Sequence, residues 1–418
     1  MRGPPPAFGS AEMRAEFALD PEYIATNHGS FGATPRKIID ERLKQMLYIE
    51  NNPDSFVKIE FASVLNKALE PVAKLCGLDD VSEVVFTVNA TTGINAVLRS
   101  LKSILTATGR YPKPASIKAQ KILFLSTVYG NVLNAINYTH QNDHFVPLQL
   151  EIESPISDAE LVKRVDALIA QERKEGNDIV LAVYDMISSV PGVILPYLEL
   201  TRLFERHNIL TCIDAAHAIG QIPINLKTLK PDFLVTNLHK WLFVPRGCCL
   251  FYCARRFHGV IRHPVISEVK PGDWRQGFHW VGTTDVSAYL TTHAALAFRE
   301  WIGGEEKIIK YNHDLAIKGG EIVAKKLGTF VMRGVGEGEA TFGDGLYASM
   351  VNVAVPETGV VTEQFMNGLQ VYLMKDWKCG TAPYKHAGRY WLRLSAQVYL
   401  NETDFERVAD ILHKMFFP

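Results

Sequence analysis

Only six cysteines are spread over the 418 residues, too sparse to staple a fold, so a disulfide framework is excluded. Cys212 lies in the apolar run ILTCID, and Cys248, Cys249 and Cys253 lie in GCCLFYC, which reads as a strand; reduced, buried thiols are expected there. No two close cysteine pairs and no cysteine–histidine set at ligand spacing occur, so no metal site is expected. No apolar run approaches the roughly 20 residues of a membrane-spanning helix, and the opening MRGPPPAFGSAEMRAEF lacks the apolar centre of a signal peptide. The expectation is a soluble, cytoplasmic protein. Excess charge is missing as well: 44 basic against 45 acidic residues leave a formal net charge of −1, so neither a nucleic acid nor a membrane partner is expected. No GxGxxG turn follows any apolar run, which counts against a nicotinamide enzyme. Repeats and low-complexity tracts are absent too.

What is present is an ordinary globular composition, 47% hydrophobic and 21% charged, with length for two or three domains. Short Val/Ile/Leu/Phe-rich runs at 83–88, 121–126, 178–185, 209–214, 232–237 and 248–253 are mostly separated by segments long enough for a helix. That alternation predicts an α/β fold whose mainly parallel sheet is covered by helices on both faces. Thr34-Pro35 offers a cap and first-turn proline before Ile38, Ile39, Leu43, Met46 and Leu47 at helical spacing, and Thr403-x-x-Glu406 reads as a capping box for a last helix. Residues 106–120 read as a polar loop. Residues 266–285 form a long irregular connection rich in glycine and aromatics, a kind of segment more often functional than idle. A large domain is placed at 31–295 and a smaller α+β domain at 296–418, with residues 1–30 contributing to the entrance of the site.

In open parallel sheets ligands bind beyond the carboxyl ends of the strands, so the polar residues after each run form one set. Asn89-Ala90-Thr91-Thr92-Gly93 precedes a helical pattern, and free N–H groups at such a start can hold a phosphate, although a threonine there can also be a plain cap. Thr127, Tyr129 and Gly130 follow the second run, and Ser188 and Ser189 follow the third. Asp214 ends the fourth run with His217 three residues on; it is either a helix cap or the partner of a protonated heteroaromatic nitrogen. Lys240, in DFLVTNLHKWLFVPRG at 232–247, either snorkels to water or serves as an amine in a partly desolvated place.

Taken together, NHGSFG (27–32), NATTGINAVLR (89–99), DMISSVPGV (185–193), DAAHAIG (214–220), NLHKWLFVPRG (237–247), VGTTD (281–285) and RLSAQVYLN (393–401) resemble the class V aminotransferases. These are fold-type I pyridoxal-phosphate (PLP) enzymes, and the likeness is to their isopenicillin N epimerase-like branch, with its fungal ergothioneine-pathway C–S lyases and loline-pathway cyclases. The motifs span nearly the whole chain in the family's order.

The resemblance implies pyridoxal 5'-phosphate bound as a Schiff base on Lys240, whose amine then serves as acid or base at the substrate Cα through an external aldimine and a carbanion. It implies that Asp214 pairs with the pyridinium nitrogen, that His217 and Ser189 touch the ring or its 3-oxygen side, and that Tyr129 stacks on the ring or relays a proton. Ala90, Thr91, Thr92, His239 and Asn237 would bind the phosphate, and Thr283 and Thr284 would reach the phosphate of the neighbouring subunit, so a homodimer is expected. Arg393 would grip the substrate carboxylate, with Asn27 and His28 lining the substrate side. The implied function is a lyase or cyclase of specialised metabolism, fungal by resemblance, eliminating a β or γ group from an amino acid. Two alternatives stand beside it: a cysteine desulfurase using Cys379, and an epimerase or aminotransferase. Lys58 stands near the point where sulfoxide-lyase members carry a pocket arginine. The aromatic residues Trp274, Phe278, His279 and Trp280 either build a pocket for a bulky or cationic substrate or pack an interface.

Overall fold

The structure, a computed structural model, describes residues 3–267, 272–334 and 345–418. Six of its strands form where the β-branched and aromatic runs predict them: β1 Val84–Thr87, β2 Gln120–Leu125, β4 Asp178–Asp185, β5 Leu210–Asp214, β6 Phe233–Asn237 and β7 Cys249–Cys253. A seventh, β3 Val146–Leu150, was not foreseen. It is a half-exposed edge strand containing Pro147, so it carries neither a continuous apolar run nor a clean alternation. The spatial order is β1-β7-β6-β5-β4-β2-β3. Strands β3, β2, β4, β5 and β6 run parallel, and β7 is antiparallel to both neighbours.

Helices cover both faces of this sheet. The helix Ala90–Ala107 lies tight against it because Gly93 has no side chain: a Cβ there would sit 2.5 Å from Val235 Cγ1. A second, antiparallel sheet has the order β8-β10-β9, with β8 Met350–Ala354, β9 Ala382–His386 and β10 Arg389–Ser395. The helices Gly304–Leu327 and Glu402–Phe416 pack together beside it, Phe405 seated over Gly319. The helix Thr292–Ile302 connects the two parts of the chain.

Two helix starts differ from expectation. The helix Arg36–Asn51 begins after Pro35, which itself occupies the capping position, and Thr34 makes no cap bond. Of its apolar residues only Ile38 is buried; Ile39, Leu43, Met46 and Leu47 are between 43% and 62% exposed. The last helix is capped two residues earlier than Thr403-x-x-Glu406 suggests, by Asn401 and Asp404, whose carboxylate accepts the Asn401 N–H at 3.0 Å. All six cysteines are buried and unpaired, as expected. Among the described residues no helix is long and apolar enough to cross a membrane.

Candidate active site

Strand β6 ends at Asn237, and the single turn Leu238–Trp241 that follows carries His239 and Lys240. Its carbonyl groups are held from three sides. His28 donates Nε2–H to the Lys240 carbonyl at 2.6 Å and accepts the Tyr399 hydroxyl on Nδ1 at 2.8 Å. Arg299, 1% exposed, donates to the Trp241 carbonyl at 2.7 Å and the Gly220 carbonyl at 3.4 Å while paired with Glu305. Gly32, at φ +68°, passes so close that any Cβ would collide with the His239 carbonyl oxygen. His28, expected on the substrate side, commits both ring nitrogens to these bonds, and burial lowers its pKa to about 3.

On the other side of this turn the Lys240 amine lies 2.8 Å from His217 Nε2. Burial lowers its pKa to about 8, helped by Arg393 and opposed by Asp214 and Asp185. Roughly a tenth of the amine is then neutral at pH 7, against about one in three thousand for an ordinary lysine. His217 is pushed well below the usual imidazole range, first by burial and then by Lys240 and Arg393. Asp214 is 6% exposed and accepts the Ala216 N–H at 2.9 Å. Burial raises its pKa, while that bond and Lys240 pull it back.

Beside Asp214, in register on the neighbouring strand, stands Asp185, 4% exposed. Burial and then the Asp214 charge push Asp185 well above the carboxylate range. Sequence reasoning gave Asp185 no role, although β4 ends on an acid just as β5 does.

At the start of the Ala90 helix two bonds tie the backbone to side chains. Asn89 accepts the Thr92 N–H at 2.9 Å, and Asn237 Oδ1 accepts the Ala90 N–H at 3.0 Å. Asn237 and Ala90, expected on the phosphate, are here bonded to each other and fix the helix against β6. Thr91 and Thr92 line a cavity of about 350 Å³ together with Asn95, His263 and, from the same chain, Thr284; Thr283 is exposed beside it. His239 donates Nδ1–H to the Cys248 carbonyl at 2.8 Å, and burial lowers its pKa to about 4. Tyr129 is 46% exposed immediately before the helix Gly130–Asp143. Nearby in sequence, the buried Thr127 hydroxyl has no partner among the described residues.

Arg393, on β10, is 2% exposed. It donates to Asn27 Oδ1 at 3.0 Å, Ser30 Oγ at 2.9 Å and the Ser189 carbonyl at 2.7 Å, and its Nε has no partner among the described residues. Each of these acceptors is neutral, and burial lowers the guanidinium pKa to about 10. A buried cation without an anionic partner is costly. Ser30 was missed in the sequence, where a serine inside NHGSFG carries no signal of its own. Asn27 and Ser189 converge on this arginine, Ser189 through its backbone.

Other expectations change. Cys379 is buried, its pKa is raised to about 12, and its segment bridges to Ile24. A persulfide acceptor must instead be an accessible thiolate, so the desulfurase role for Cys379 is not supported. Trp274 is buried and stacks on His258 at 4.5 Å, whereas Phe278 packs on Phe251 of β7 at 5.4 Å and, with His279, also lines the cavity beside Thr91 and Thr92. Trp280 meets Phe61 edge-on at 5.5 Å. Residues 268–271 of this connection lie outside the described residues. Lys58 is exposed.

The aminotransferase class-V family signature matches residues 126–327. The chain is 30% identical to the L-cysteine desulfhydrase-like protein lolT1 of Epichloe uncinata, over 97% of this chain and 95% of that protein. The chain belongs to the aminotransferase class-V family. It is also 28% identical to the hercynylcysteine sulfoxide lyase of Schizosaccharomyces pombe, over 96% of each chain. A solved structure of the C–S lyase C-DES, a variant with glycine covalently linked to its PLP cofactor, superposes with a TM-score of 0.75 at 16% identity, covering 96% of this chain and 98% of that one. Both the class V family and the fold-type I architecture stand as the sequence motifs suggested. The family is PLP-dependent, and the donor set fits that group: an amine whose pKa burial lowers to about 8, a buried acid beside it, and threonines at a helix start.

Two outcomes are expected from this geometry. Gly32→Ala should cost about 3 kcal/mol or more in a denaturant titration, because its Cβ meets a backbone oxygen that is held in place. Native protein should expose fewer than about one thiol to Ellman's reagent and all six after unfolding, with Cys379→Ser leaving turnover unchanged.

Proposed function

We propose that this chain is a PLP-dependent lyase that removes a sulfur-linked or similar leaving group from Cβ or Cγ of an amino acid, or closes a ring there. The observation that carries it is the pairing, in one buried region, of a desolvated lysine amine with a guanidinium whose bonds all go to neutral acceptors. That pair suits a substrate bearing both an α-amine and an α-carboxylate.

Pyridoxal phosphate supplies the electron sink for the pair released at Cα. The chain does the rest. Lys240 holds the cofactor and afterwards moves the proton at Cα. Asp214 keeps the ring nitrogen protonated, His217 and Ser189 serve the ring's oxygen side, and Tyr129 covers the ring or relays a proton to the leaving group. Thr91, Thr92 and His239 hold the phosphate. Arg393, positioned by Asn27 and Ser30, takes the carboxylate. The names of the relatives, a sulfoxide lyase and a desulfhydrase-like protein, favour a carbon–sulfur bond as the one broken.

The working unit we propose is a homodimer, with Thr283 and Thr284 placed toward the neighbouring phosphate. Four exposed apolar residues on one helix, Ile39, Leu43, Met46 and Leu47, support a covered face. Borohydride reduction of the PLP-loaded protein should tag Lys240, and a protein that binds no PLP or is tagged elsewhere refutes the reading. Arg393→Ala should weaken the spectral response to amino acids about a hundredfold in concentration and leave the response to simple amines unchanged. In sedimentation velocity, Leu43→Glu should shift the protein from dimer to monomer.

A further inference from the structure

Trp241 follows the lysine directly, is fully buried and touches the ring of His28 at a centroid distance of 4.7 Å. Its backbone is held by the Arg299 bond to its carbonyl, and its indole is confined by burial, with a ring carbon close beside Gly29. Its indole nitrogen lies 3.4 Å from His217 Nδ1, and the opposite nitrogen of the same imidazole lies 2.8 Å from Lys240 Nζ. An indole N–H is a donor and never an acceptor, so Nδ1 must be the lone-pair nitrogen and the ring proton must sit on Nε2. Nε2–H can share a hydrogen bond with Lys240 only if the lysine contributes a lone pair. An ammonium would set proton against proton.

From this chain of contacts we infer that Trp241 is a positioning residue that fixes the tautomer of His217 and through it selects the neutral form of the Lys240 amine. The inference rests on the reading above, in which that amine holds the cofactor. Burial alone disfavours the ammonium without orienting it, and the groups around the amine pull in both directions. Asp214 on β5, Asp185 on β4 and Cys249 on β7 favour the cation, and Arg393 on β10 opposes it. The imidazole faces Lys240, Arg393, His28 and His239, each of which disfavours a second proton on the ring. The ring is therefore a neutral group, and its tautomer decides whether it accepts from the lysine or donates to it. His217 can act as a one-way partner only while Trp241 occupies its far side.

The test uses cofactor-free protein. Formaldehyde and cyanoborohydride methylate Lys240 between about pH 6 and pH 10, and peptide mass spectrometry reads the midpoint, expected near 8 in the parent. Trp241→Phe keeps an aromatic ring in place but removes the donor. The midpoint should rise toward that of an ordinary lysine, lowering the labelling of Lys240 at pH 7 by about three- to tenfold, while exposed lysines label as before. An unchanged midpoint in a folded variant overturns the inference. A nitrogen-15 spectrum of the histidines in the parent decides the matter even if the variant does not fold: protonation of His217 on Nε2 supports the inference, and protonation on Nδ1 overturns it. Failure of borohydride to tag Lys240 in PLP-loaded parent would instead refute the functional reading, so the two failures are distinct.

Discussion

One desolvated amine sets the terms for everything around it. Lys240 sits at the carboxyl end of β6, where burial brings its pKa to about 8, and a lysine in that state is useful only if its backbone cannot drift. The turn that bears it is one of the shortest helical pieces in the chain, Leu238–Trp241, too short to be stable by itself. Its stability is borrowed from Arg299, His28 and the close passage of Gly32, which reach it from the connecting helix and the N-terminal segment. These are distant parts of the sequence, so the site cannot be rigid unless the whole chain is folded around it.

The electrostatics follow the same logic. Asp214 and Asp185 stand side by side at the ends of neighbouring parallel strands, and two buried carboxylates so placed cannot both ionise cheaply. Burial raises the pKa of both, and the Asp214 charge raises that of Asp185 further. Across the pocket Arg393 holds only neutral acceptors. Under the proposed function, the carboxylate of the substrate would supply the compensation that these neutral acceptors do not.

The large sheet was largely legible because its strands are buried on both faces and read as apolar runs; β4, for example, matches the expected 178–185 at both ends. The exceptions have physical causes. β3 is a half-exposed edge carrying a proline, and β9 of the second sheet is likewise half-exposed, whereas β8 and most of β10 are buried runs that were not read as strands. The helix Arg36–Asn51 shows the limit of periodicity: its apolar spacing was readable, but burial of that face was not, because four of its apolar side chains remain exposed.

By itself the sequence determined which chemical groups were available and roughly where the strands would deliver them, since strand ends and motif order are local properties of the chain. Lys240, Asp214 and Arg393 could be picked out in this way. Only the tertiary structure decided what each group does to its neighbours. It set His28 against the Lys240 carbonyl, made Asn237 a tether for the Ala90 helix, put Trp274 in the core, and placed Phe278 both against β7 and in the wall of the cavity. It also joined Trp241 to Lys240 through His217, and set Asp185 against Asp214. Burial, tautomer and protonation depend on atoms brought together across hundreds of residues, and no local pattern encodes them.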